Sequence, residues 1–151
     1  MKASTKVIRA TADKILNKLL QEGVVIQRYD AYSTNSVYLK FDCGLCNTLR
    51  IGDHKGKEKL NYMFMVDVEH TGQVKTTRDN FTQYTYAPSK KQINKLVKHI
   101  LAHRQKKING YGSPEAYREA MKIQYVKNKT QKGFWMQAEF VKNNNKEMIK
   151  C

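Results

Sequence analysis

Ser36-Val37-Tyr38-Leu39-Lys40-Phe41 decides how the chain folds. Apolar and polar residues alternate through it, so Val37, Leu39 and Phe41 fall on one face of a strand. Asp42-Cys43-Gly44 supplies a turn behind it, and Asn47 to Ile51 returns as a second strand. Val24 to Tyr29 is a short strand ahead of it. Lys55-Gly56-Lys57 signals another turn, followed by the aromatic and β-branched run from Leu60 to Val68. Two further strands, Gln73 to Thr77 and Phe81 to Tyr86, flank Arg78-Asp79-Asn80. Together these segments predict an antiparallel meander.

Helical periods bracket the meander. From Thr5 to Glu22, Ile8, Ala12, Ile15 and Leu19 recur at helical spacing, and Leu16 and Leu20 widen the stripe. Ser4 or Thr5 can cap that helix and Gly23 can end it. Ser89 caps a second helix, from Lys90 to about Lys107, whose apolar face is Ile93, Leu96, Val97, Ile100 and Leu101. Asn109-Gly110-Tyr111-Gly112-Ser113 breaks it, and Ser113-Pro114-Glu115 restarts a helix that runs to about Val126. Phe134 to Val141 is compatible with either a helix or a strand. The expected fold is α+β: an N-terminal helix on a small antiparallel sheet, followed by two or three C-terminal helices. The expected organisation is a single domain over residues 1–151, with helix and sheet in 1–88 and a basic helical part in 89–151.

A chain of 151 residues is long enough to bury roughly 68–70% of the surface its unfolded form exposes. At 40% hydrophobic and 10% aromatic, its composition is that of a folded protein and not of a disordered tail. No apolar run approaches the roughly 20 residues that cross a bilayer, and the N-terminus leads into an amphipathic segment and not a secretory signal. Three cysteines, Cys43, Cys46 and Cys151, are an odd count, which predicts a reducing, intracellular setting.

Charge is distributed unevenly. Residues 1–88 hold 13 Lys and Arg against 9 Asp and Glu, whereas residues 89–151 hold 15 against 4, so most of the net +15 lies late in the chain. Lys90, Lys91, Lys95, Lys98, Arg104, Lys106 and Lys107 fall between Ser89 and Asn109 with no acid among them. Lys91, Lys95 and Lys98, at i, i+4 and i+7, share a helix face that can track phosphates. Like charges at that spacing cost helix stability, and a polyanion is the partner that offsets the cost. Tyr111, Tyr117, Tyr125, Phe134 and Trp135 interleave with these cations. Exposed rings there can stack on bases, while Phe134 and Trp135 are expected in the core.

Catalytic signals are weaker. Cys43-Gly44-Leu45-Cys46 has knuckle spacing, but no second cysteine pair follows, and His54 and His70 match no finger pattern; two half-buried residues at a hairpin are expected. Asp42, Asp53 and His54 are the residues on which a metal-dependent nuclease would be built, although no nuclease spacing is present. His99 and His103 lie at i, i+4, but Ile100 stands where a zinc peptidase needs Glu. No phosphate-binding glycine loop occurs, and neither a metal nor a cofactor is expected.

The segment from Ser33 to Phe41, with its Ser36 and Tyr38, and Leu49-Arg50-Ile51-Gly52-Asp53-His54 together resemble a motif of small proteins from bacteriophages and mobile elements. In that motif a Ser-x-Tyr strand precedes Arg-Ile-Ser/Gly-Asp-His; it gives Ser36, Tyr38, Arg50, Asp53 and His54 no established role. Lys2-Ala3-Ser4-Thr5-Lys6 and the segment from Arg9 to Ile15 resemble a type II-A anti-CRISPR family of gut Bacteroidetes. The resemblance covers about the first third of the chain. It implies a phage-borne protein in the bacterial host cytoplasm that acts on nucleic acid or on a Cas9-type effector complex. Many such inhibitors are acidic mimics of DNA, and this chain is strongly basic. The expectation is therefore a non-enzymatic binding protein that grips RNA, DNA or an acidic protein surface through its late lysines. A nuclease and a phage housekeeping nucleic-acid-binding protein are the alternatives.

Overall fold

The structure, a computed structural model, describes residues 5–31, 35–54, 57–65, 73–76, 81–129 and 137–141; for residues 53–83 and 85 within these it describes the backbone alone. The architecture is α+β. Helix α1 (Thr5–Leu20) leads into β1 (Ile26–Asp30), β2 (Val37–Phe41), a one-turn 3-10 helix (Asp42–Gly44), β3 (Thr48–His54), β4 (Lys57–Met65), β5 (Gln73–Thr76) and β6 (Phe81–Tyr86). Two long helices follow, α2 (Lys90–Tyr111) and α3 (Pro114–Asn128), and then a two-residue strand, β7 (Glu139–Phe140). The sheet runs in the order β5-β6-β4-β3-β2-β1-β7, with each pair antiparallel.

Alternation in β2 sets the register of its neighbours. Phe41 pairs with Ile26 on β1, while Leu39 and Val37 pair with Leu49 and Ile51 on β3. All six are at most 1% exposed, and each such burial contributes about 1.5–3 kcal/mol. Against this face lie Ile8, Ala12, Ile15 and Leu19 of α1 and Ile93, Leu96 and Ile100 of α2, in one cluster with Tyr84 and Tyr86 of β6. A second, smaller cluster joins Val25, Cys43, Tyr117 and Met121, with Ile108, Tyr125 and Phe140 packed around it. It seats α3 on the 3-10 turn.

The element ends follow from local chemistry. Gly23, at φ +83°, closes α1 with its N–H on the Leu20 carbonyl. Ser89 and Ser113 cap α2 and α3 by accepting from the N–H groups of Gln92 and Ala116. α2 continues through Gly110 and Tyr111 and stops only at Gly112, at φ +99°, because a helix tolerates one glycine at a cost of about 1 kcal/mol.

Two features depart from the simple meander. β4 starts at Lys57, within the expected turn, and pairs with β6 and not with β5, so the four-residue β5 becomes an edge. Tyr84 and Tyr86 explain the order: both are buried in the core cluster, and burying them requires β6 to lie inside the sheet. The Glu139–Phe140 segment resolves as a strand on β1, whereas residues 134–136 lie outside the described residues.

Leu39→Ala is expected to lower unfolding free energy by about 2–5 kcal/mol in urea titration, since Leu39 is fully enclosed on the central face. Lys95→Ala, at an exposed site, is expected to stay within about 0.5 kcal/mol of the parent.

Candidate polyanion-binding surface

Helix α2 is amphipathic in charge as well as in hydropathy. Ile93, Leu96, Val97, Ile100 and His103 face the core. Lys91, Lys95 and Lys98 fall on the opposite side, all exposed, with exposed Lys106 further along and Lys90 at the start. From Lys91 to Lys106 the stripe spans about 22 Å at 1.5 Å per residue. The described ion pairs are Arg9–Asp30, Arg28–Asp13, Arg28–Asp30 and Arg104–Asp42, and none involves Lys90, Lys91, Lys95 or Lys98. Lys107 is half-buried at the core side of the helix.

Arg104 does not belong to this stripe. It lies i+4 from Ile100 and i+7 from Val97, on the apolar side, and its Nε donates to Asp42 Oδ2 at 2.6 Å. Its Nη2 donates to the Gly23 carbonyl at 3.3 Å, and its guanidinium lies 5.7 Å from the centre of the Tyr117 ring. Burial alone would lower the Arg104 pKa, but the charge and hydrogen bond of Asp42 more than offset it and hold the value above the ordinary one. Arg104 is thus a structural cation, turned to Asp42 and away from the exposed lysine face where the charge count puts it.

Asp42 is likewise structural. Its carboxylate is fully buried and accepts from Arg104, from the Tyr117 hydroxyl at 2.7 Å and from the Val25 N–H at 3.0 Å. Register also separates it from Asp53 and His54. Asp42 follows Phe41 at one end of the β2–β3 ladder, while Asp53 and His54 lie past the Ile51–Val37 pair at the other, at least about 24 Å away at 3.4 Å per residue along the strand direction. The nuclease constellation is not assembled. No group of three potential metal ligands occurs among the described residues.

The cysteines of the Cys-x-x-Cys segment are fully buried and not half-buried, and they lie in different apolar clusters. Cys46 Sγ lies 3.7 Å from the Ile100 carbonyl, under α2, while Cys43 packs against α3, so the two are not placed as a thiolate pair. His99 and His103 diverge as well. His99 hydrogen-bonds the Tyr86 hydroxyl and meets the Tyr84 ring edge-on, and His103 contacts the Asn47 amide. Of the late aromatic residues, Tyr117 is buried and Tyr125 packs on Phe140, so neither is a stacking platform; Phe134 and Trp135 lie outside the described residues.

The β2–β3 motif divides. Ser36, Tyr38 and Arg50 come together: Arg50 Nε and Nη2 both donate to Ser36 Oγ at 3.2 Å, and the guanidinium lies 5.8 Å from the centre of the Tyr38 ring. For Asp53 and His54 only the backbone is described, with Glu58 and Lys57 as register partners. No helix among the described residues is long and apolar enough to cross a membrane. Comparisons with protein-family models, curated proteins and solved structures return no match.

Removing the Asp42 carboxylate leaves Arg104 buried without a counter-charge. Asp42→Ala is therefore expected to cost about 3–5 kcal/mol in chemical denaturation, far more than Lys98→Ala. The tyrosines give a second test. Burial, with a smaller push from Tyr84, raises Tyr86 to about 12, and burial together with Asp42 raises Tyr117 well above its ordinary value. A raised tyrosine favours the folded state fully below the unfolded value of 10.0, and that contribution is lost as pH climbs through the folded value. Absorbance at alkaline pH should show both hydroxyls still protonated after the exposed tyrosines have ionised. Loss of stability should set in between pH 10 and about 12.

Proposed function

We propose that this protein is a non-enzymatic nucleic-acid-binding protein that holds a sugar-phosphate backbone along the exposed face of α2. The observation that carries this reading is the alignment of Lys91, Lys95 and Lys98 on one exposed helix face, with no carboxylate paired to any of them among the described residues. Uncompensated cations at i, i+4 and i+7 repel one another, and releasing condensed counterions from a polyanion returns more free energy than that repulsion costs. Lys106 extends the same track.

Resemblance of the first third of the chain to an anti-CRISPR family suggests the setting: a phage-borne inhibitor inside a bacterial cell, acting on a Cas9-type nuclease. A basic inhibitor would act by occupying guide RNA or target DNA, because the protein reads those strands mainly through their backbones.

Fluorescence anisotropy with labelled DNA and RNA tests the reading. Affinity for duplexes should fall steeply with salt, and replacing Lys91, Lys95 and Lys98 together by Glu should abolish duplex binding by the folded protein. The corresponding replacement by Gln should reduce the slope of log K against log salt by about 2–3. Parental affinity in the Glu variant would remove the function proposed. Adding the protein to a guide-loaded Cas9-type nuclease should block cutting; undiminished cutting would remove that target and leave the nucleic-acid reading intact.

A further inference from the structure

The α2 stripe leaves the Ser36–Tyr38–Arg50 cluster unused. Register sets Tyr29 of β1 opposite Tyr38 of β2, and Tyr38 opposite Arg50 of β3, so the three form one row across three strands. Tyr38 and Arg50 are each one position removed from core residues, Val37 and Leu39 or Leu49 and Ile51, which face α1 and α2, and Tyr29 shares the face of its register partner Tyr38. The row therefore lies on the sheet face opposite α1 and α2, and α3 covers that face only at the Val25 and Phe140 end.

Arg50 is unlike the arginines that meet carboxylates. Arg9, Arg28 and Arg104 each pair with an aspartate, whereas Arg50 is exposed and meets no acid among the described residues. It is nevertheless fixed in place. Ser36 Oγ accepts from two of its nitrogens and the Tyr38 ring lies beneath it, while Tyr29 and Tyr38 stand 6.4 Å apart, centre to centre. Gly52 makes room for the latch: a Cβ there would stand 2.9 Å from Ser36 Oγ and 3.3 Å from Arg50 Nε. Fixing a long side chain costs rotamer entropy, and here the cost is met without cancelling the charge. The remaining N–H donors, including both on Nη1, form a planar fork of the kind that matches phosphate oxygens. Beyond Arg50, Lys59 and Lys57 are the register partners of Gly52 and His54. In the other direction the face closes, since Lys40 and Gln27 are buried.

We propose that the Tyr29–Tyr38–Arg50 row binds single-stranded nucleic acid, with Arg50 taking a phosphodiester and the half-buried tyrosine rings stacking on neighbouring bases. This rests on the nucleic-acid reading above but uses a different surface. The two differ in what they select: a lysine track accepts any backbone, while stacking needs base faces that a duplex keeps hidden.

An oligothymidylate of about 20 nucleotides and a duplex of similar length, at matched salt, separate the two surfaces. Arg50→Gln and Tyr38→Ala should each weaken oligothymidylate binding about tenfold or more and leave duplex binding within about twofold. Gly52→Ala should act in the same direction with every charge retained, and Arg50→Lys should not restore the loss, because Lys lacks the fork. Circular dichroism checks folding; Arg50→Gln alters an exposed residue and keeps the test valid if Gly52→Ala does not fold. Equal loss for both ligands, or none for either, overturns the proposal. If the Lys91, Lys95, Lys98 triple Glu variant binds duplex like the parent, only the α2 reading falls. If the triple variant loses duplex while Arg50→Gln leaves the single strand untouched, only the sheet-face proposal falls.

Discussion

One buried carboxylate ties the two parts of this chain together. Asp42 accepts hydrogen bonds from the Val25 backbone, from Arg104 on α2 and from Tyr117 on α3, and Arg104 reaches on to the Gly23 carbonyl. Its own N–H donates to the Val25 carbonyl at 2.7 Å. The α1–β1 connection, the end of β2 and both long helices therefore converge on one side chain. Asp42 and Cys43 sit at φ +50° and +58°, where a side-chain-bearing residue is strained by about 1–3 kcal/mol. Such strain persists only where surrounding contacts over-determine it. Here the three donors on the carboxylate and the Asn128 amide on the Cys43 carbonyl, at 2.8 Å, do so. A desolvated ion pair is weak evidence of net stability compared with an apolar replacement. What this one supplies is direction, because it fixes where α2 and α3 meet the sheet while their apolar faces alone would permit sliding.

That anchorage explains why α2 can carry so many uncompensated charges. The helix lies against the core through Ile93, Leu96, Val97 and Ile100 and is locked at Arg104, so burial outweighs the like-charge repulsion along Lys91, Lys95 and Lys98. Each like-charge pair costs only a few tenths of a kcal/mol, while each buried aliphatic side chain contributes about 1.5–3 kcal/mol. Tertiary packing wins, and the exposed face is free to be chosen for charge.

Much of the scaffold was legible because it rests on periodicity. Alternation in β2, the apolar stripe of α1 and the Ser113-Pro114-Glu115 restart all translate directly into backbone, with ends displaced by a few residues. The strand order was not legible, since adjacency of β6 and β4 depends on burying Tyr84 and Tyr86 together and no local pattern reports that. Arg104 carries its own signal: it recurs at i+4 and i+7 from Ile100 and Val97, so a helical wheel places it with the core while composition counts it with the lysines. Asp42 had no comparable signal. Asp-Cys-Gly looks like any polar turn, and only the fold brings Arg104 and Tyr117 to it from 62 and 75 residues away. Ser36, Tyr38 and Arg50 stood out as a motif, but their contact needs the β2–β3 register, and the part played by Gly52 becomes visible only in the space it leaves.

Arginine and lysine are used differently throughout. Asp13, Asp30 and Asp42 are engaged by Arg28, Arg9 and Arg104, whose planar forks can hold two partners at once, as Arg28 does with Asp13 and Asp30. Burial lowers the Arg28 pKa, and its two aspartates raise it by more, so the half-buried guanidinium stays charged beside them. The α2 lysines, more strongly hydrated and without a fork, stay in water. Arg50 breaks the pattern, being fixed by Ser36 and Tyr38 while meeting no carboxylate among the described residues. Held on the sheet by Ser36, with no carboxylate on it among the described residues, Arg50 is the guanidinium that a bound phosphodiester would complete.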